Sequence, residues 1–158
     1  MVCNKCGKEI GDEKVCKYCN SAANNKLVSE LSDKIKTEAK IWKIVAIVQV
    51  VIGAATIIFN IASGMIESAL YGVLILVVAF LNFKSSKKDL KYAEDIKTNP
   101  TGIVKKYEPL KELIATLVYN VVFGGVVGVV ACAFGFLTRK FVVDNKQKFL
   151  DIENGCNK

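Results

Sequence analysis

Charge vanishes from this chain in two places. Between Lys43 and Lys84 there is no basic residue and a single acid, Glu67; between Glu112 and Arg139 there is no charged residue. Both intervals are rich in Val, Ile, Leu, Ala, Gly and Phe. An amphipathic helix of a soluble domain keeps polar residues on its outer face at the helical period, and neither interval does. A fully buried soluble helix would need a shell of other chain around it, and too little of the 158 residues is left over. The pattern predicts an all-α membrane protein with three transmembrane helices, helical extensions and a small N-terminal β-hairpin module.

The first span is expected from about Ile44 to Ser63, some 20 residues, enough for about 30 Å of hydrocarbon. Asn60-Ile61-Ala62-Ser63-Gly64 reads as a turn, and the second span follows from about Met65 to Phe83, so that residues 44–83 form a helical hairpin. Glu67 then lies at headgroup level. Residues 23–43 read as a lead-in helix with Leu27, Leu31 and Ile35 along one side, capped by Asn24 or Asn25. This stripe reads as the inner face of a small bundle. Residues 84–112 form a polar helical connection, broken at Asn99-Pro100-Thr101-Gly102 and restarted near Pro109. Residues 113–137 are read as a third transmembrane helix, and 138–158 as a polar tail with Phe141, Val142, Phe149 and Ile152 at roughly helical spacing.

Basic residues order these pieces relative to the bilayer. Eight lysines precede Lys43, eight lie in the connection, and the turn between the first two spans has none. The positive-inside rule puts the N-terminus and the connection in the cytoplasm of a multi-pass cell-membrane protein. No cleavable signal peptide is recognisable at the start of the chain. A plain third crossing puts the tail outside, with Arg139, Lys140, Lys146 and Lys148, against the same rule. A re-entrant loop split at Gly124-Gly125 would avoid that conflict, but it brings non-helical backbone into lipid with little protein to shield it. The plain crossing is preferred.

Four cysteines ahead of the first helix carry the most specific chemistry. Cys3/Cys6 and Cys16/Cys19 are two Cys-x-x-Cys pairs, and thiolates at that spacing suit a tetrahedral structural zinc ion, about 2.3 Å from each sulfur. Four thiolates leave no open position for water, so one structural, non-catalytic Zn2+ is expected. Lys8-Glu9-Ile10, Gly11-Asp12 and Lys14-Val15 read as a very short hairpin between the knuckles. The segment has too few apolar residues to fold by burial, and metal supplies its stability. Met1-Val2-Cys3-Asn4-Lys5-Cys6-Gly7-Lys8-Glu9-Ile10 followed by Cys16-Lys17-Tyr18-Cys19 resembles the N-terminal zinc ribbon of many bacterial and archaeal multi-pass membrane proteins. In that family a glycine usually follows each pair in a left-handed knuckle turn. Gly7 matches, and Asn20 stands in the second position. The resemblance implies zinc and a ribbon fold over residues 1–22, and little about activity.

The net charge of +7 raises nucleic acid as a partner. The ribbon side chains sum to only +1, however, four thiolates on zinc add two negative charges, and Arg139 is the chain's one arginine, which together argue against it. A dithiol redox pair is the rival reading of the cysteines, disfavoured by the second pair. With no histidine and no recognisable nucleophile, phosphate loop or carboxylate pair, catalysis is not expected.

Within the spans, Gly124, Gly128 and Gly135, with Ala131 and Cys132, line one side of the third segment, where small residues let helices approach closely. Packing inside the chain is the plainer reading and a homo-oligomer the rival. Gln49 and Asn120 each lie about two turns inside the cytoplasmic ends of their spans and are expected to bond each other. The favoured function is a cytosolic zinc ribbon serving as a protein-docking or scaffold module on a bilayer-embedded base. The alternative is a small transport or channel subunit regulated by the ribbon.

Overall fold

The computed structural model describes residues 22–156, together with Val2, Gly7 and Glu9. Cys3, Cys6, Cys16, Cys19 and Asn20 lie outside the described residues, as does the hairpin expected between the knuckles. Two long helices dominate: α1 (Ala22–Ala62) and α2 (Ile66–Thr98). Neither contains proline, and each has one glycine. α1 begins by Ala22, so Asn24 and Asn25 sit inside it instead of capping it.

The α1–α2 turn closes with the C-terminal end of α1 capped by backbone. Gly64 adopts φ 73°, Met65 N–H donates to Asn60 O and Gly64 N–H to Ile61 O, the bonding of a Schellman cap. Past the turn the two helices run antiparallel and nearly touch at Gly53 and Gly72. A Cβ on Gly72 would lie 2.8 Å from the Gly53 carbonyl oxygen and 2.7 Å from Ile57, closer than van der Waals contact permits. Further along, two buried serines reach across to backbone: Ser32 Oγ donates to Ala93 O and Ser86 Oγ to Ala39 O, each at 2.6 Å. Ala39 and Ala93 are themselves fully buried, so small side chains let the hydroxyls reach the neighbouring helix.

Three helices are long and apolar enough to cross a membrane, within residues 24–62, 66–98 and 125–144. Their apolar side chains mostly face outward; Val51 is 64% exposed, Ile58 69% and Val126 80%. Soluble monomers rarely expose apolar surface on this scale, and the arrangement fits an all-α, multi-pass membrane protein in a lipid bilayer.

At the charged end, the extensions of α1 and α2 build a collar with a core of its own. Leu31, Ile35, Ala93 and Ile96 pack with Ile103, Val104 and Tyr107 of α3 (Ile103–Tyr107). Phe149 and Ile152 of α6 (Lys146–Cys156) complete it, with Val142. Leu31 and Ile35, from the stripe read in the sequence, are buried here and Leu27 is partly buried.

The third apolar segment is not the single helix expected over 113–137. It divides into α4 (Lys111–Tyr119), a π-helical turn (Asn120–Gly124) and α5 (Gly125–Asp144). Gly125 has φ 60° and ψ −165°, a conformation that side chains with a Cβ rarely adopt. The chain folds back there. Leu113 meets Gly135, Asn120 meets Gly128, and Arg139 Nη2 donates to Glu108 O at 2.8 Å. The tail therefore returns to the end from which α4 started and joins the collar, correcting the expectation that it lies on the opposite side. Tyr71 of α2 donates its hydroxyl proton to the Val122 carbonyl at 3.0 Å, tying the π-helical turn to α2.

Replacing Gly72 by Leu should force α1 and α2 apart and lower unfolding stability by about 1–3 kcal/mol. Val73→Leu, on an outward-facing neighbour, should have little effect. Unfolding in mixed detergent micelles measures both.

Candidate functional site

Three amide side chains meet between the helices. Asn82 Nδ2 donates to Gln49 Oε1 at 2.8 Å and to Asn120 Oδ1 at 3.4 Å, and Asn82 Oδ1 accepts from the Tyr119 hydroxyl at 3.0 Å. Asn120 Nδ2 turns back to Thr116 O at 2.9 Å. Gln49, Asn82 and Asn120 are all essentially inaccessible, and the Gln49 Nε2 donor has no partner. Gln49 and Asn120 thus share a depth without bonding each other; Asn82 links them and ties α1, α2 and the π-helical turn together. Asn82 stands one residue inside the expected end of the second span, where it reads as a boundary residue. The signal was its class, a third amide within an apolar stretch.

Beside this cluster, where apolar helix gives way to charged helix, lies a cavity of about 160 Å³. Asn82 and Tyr119 form its inner wall, and Glu38, Asp89, Lys106 and Glu112 carry its charges. Lys106 pairs with Asp89 at 3.3 Å and stands 3.5 Å above the Tyr92 ring. Burial holds its ammonium pKa below the ordinary value, against the pull of Asp89. Burial raises the Tyr92 hydroxyl to about 12 and also raises that of Tyr107, so both stay neutral. Glu38 is the unusual member. Its carboxyl pKa is raised chiefly by burial and further by Asp89, while Thr138, Trp42 and Lys106 pull the other way. Its Oε2 is buried with no hydrogen-bond partner.

Glycine explains how a carboxylate fits there. A Cβ on Gly135 would sit 3.1 Å from Glu38 Oε1, so α5 makes room with a bare backbone. Gly128 does the same for Asn120. These two members of the small-residue stripe face the chain's own polar side chains; the side chain environment of Gly124 lies outside the described residues. Among the described residues, no three metal-ligating side chains converge. At the N-terminus, Gly7 is left-handed with φ 66°, and Val2 and Glu9 form an isolated antiparallel bridge.

Asn82→Leu strands polar atoms on its three partners, Gln49, Asn120 and Tyr119, and should cost about 1–2 kcal/mol in the micelle unfolding assay; in a double-mutant cycle with Gln49→Leu, the pair should couple by about 0.6 kcal/mol or more. Glu38, with a raised folded-state pKa, favours the folded chain when protonated. Stability should fall as pH rises from its ordinary value of 4.5 through the raised one. Glu38→Gln should flatten that slope and be the more stable protein at pH 7, as thermal melts across pH would reveal.

Compared with known proteins, the chain matches no family model, no curated protein and no solved structure.

Proposed function

We propose that this is a multi-pass membrane protein whose N-terminal cysteines hold one structural zinc ion in a cytosolic ribbon, and that the ribbon docks a protein partner. The observation that carries this reading is the continuity of α1. One helix runs from Ala22, directly after the cysteines, through the collar and into the apolar segment. From Ala22 to Lys43 the rise is about 32 Å, so the ribbon would stand well clear of the headgroups on a stalk stiffened by the collar core. A module mounted this way has a fixed height and direction above the bilayer, which suits capture of a partner and gives nothing to a free-swinging tether.

The residues present fit zinc. A left-handed Gly7 after the first pair and a bridge from Val2 to Glu9 support the zinc-knuckle reading. Cys3, Cys6, Cys16 and Cys19 would be the ligands, and the metal would supply folding energy to a segment with little apolar area. Lys5, Lys8, Lys17 and Tyr18 would form the docking surface.

Orientation follows from charge. With the tail returned to the collar, the basic blocks of the described residues gather at one end, and the positive-inside rule meets no exception there when that end is cytoplasmic. The fold-back of α4 and α5 is then a re-entrant hairpin entering from the cytoplasmic side.

Purified protein should bind one zinc per chain by metal analysis, and Cys16→Ser should lose the metal while remaining inserted in membranes. Zinc-free protein with an exchangeable disulfide would reverse the assignment to thiol-redox chemistry. A fluorescent protein fused to the C-terminus should light up and a phosphatase fused there should stay silent; the opposite pattern would put the tail outside.

A further inference from the structure

We propose that the cavity at the foot of the collar binds a small organic cation, a protonated or quaternary amine, held by the carboxylates of Glu38 and Glu112 and by the rings of Trp42, Tyr107 and Tyr119. The inference does not depend on the ribbon or on its partner.

Size comes first. About 160 Å³ exceeds what a single water needs and suits a group of several heavy atoms. Charge then selects the class. Among the described residues Lys106 is the only basic one in the lining, and Asp89 answers it at 3.3 Å. Glu38 and Glu112 remain, two formal negative charges without a basic partner in the lining, Glu38 half-buried and Glu112 at the exposed rim. An anion is excluded on this count. A divalent metal ion fits poorly as well, because among the described residues no three ligating groups come together.

The remaining lining points to an organic cation. Trp42, Tyr107 and Tyr119 bring three aromatic rings to one small cavity, and ring faces attract ammonium groups most strongly where water is scarce. Glu38 supplies the second, independent sign. Thr138 and Trp42 hydrogen-bond the carboxyl, while its Oε2 has no hydrogen-bond partner within the protein, which leaves one oxygen to take a donor or positive charge arriving in the cavity. Gly135 keeps the space beside Oε1 clear. Asn82 and Tyr119, at the inner wall, are already spent on one another, so the cavity ends there.

Trp42 is the chain's only tryptophan and lines the cavity, which gives a direct readout. Full-length protein in micelles is titrated with tetramethylammonium chloride and, separately, methylammonium chloride, with sodium chloride holding ionic strength constant. Neopentyl alcohol serves as the neutral shape match. We expect a saturable change in Trp42 emission with at least one ammonium, none with neopentyl alcohol, and affinity at least about tenfold weaker in Glu38→Gln. Glu112→Gln, at an exposed position where misfolding is not a concern, should also weaken binding. Failure of both ammoniums to saturate, an equal response to the alcohol, or unchanged affinity in both glutamine variants would overturn the proposal.

Discussion

Hydrocarbon gives an amide nothing to bond with, and Asn82 is the side chain through which this molecule answers that constraint. It spends its donors on Gln49 and Asn120 and its acceptor on Tyr119. These contacts come from α1, from α4 and from the turn that follows, so one side chain requires three parts of the chain to be adjacent. Intramembrane hydrogen bonds are individually modest, about 0.6 kcal/mol on average. Their worth here is geometric, since separating any partner leaves polar atoms facing lipid.

Close packing makes that geometry reachable. Gly53 and Gly72 bring the backbones of α1 and α2 together near the turn, and the Ser32 and Ser86 hydroxyls clasp them at the charged end. The folded-back α4–α5 hairpin is laid against this pair. The Tyr71 hydroxyl covers the Val122 carbonyl at the tip, and Gly128 admits Asn120 at close range. The hairpin returns the tail to the collar, where Phe149 becomes one of its most deeply buried side chains.

The collar and the cavity beneath it work on different physics. Burial of Leu31, Ile35, Ile96, Ile103 and Phe149 makes the collar an ordinary hydrophobic core standing outside the apolar zone. The cavity keeps a carboxylate in a poorly solvated place with one oxygen unpartnered. Structures tolerate such a residue when something else in the fold compensates.

Much of the architecture was legible from composition along the chain. The absence of charge from 44 to 83, apart from Glu67, dictates an apolar helical pair, because a backbone in hydrocarbon must satisfy its own polar groups. The spacing of Leu31 and Ile35 marked a buried face, and Asn99-Pro100 marked the end of α2, since proline cannot continue a helix. Single amides in apolar runs marked Gln49 and Asn120 as residues in need of partners. Tertiary structure decided the rest. Whether Gly124-Gly125 interrupts a crossing or turns the chain back depends on protein being present to cover the opened backbone, and Tyr71 lies some fifty residues away. That Asn82 would be the hub, and that Glu38, Lys106 and Glu112 would share a cavity with Trp42, depends on how three helices are aligned along their length. A linear pattern fixes which faces are greasy and which ends are charged; depth and register arise only when the helices touch.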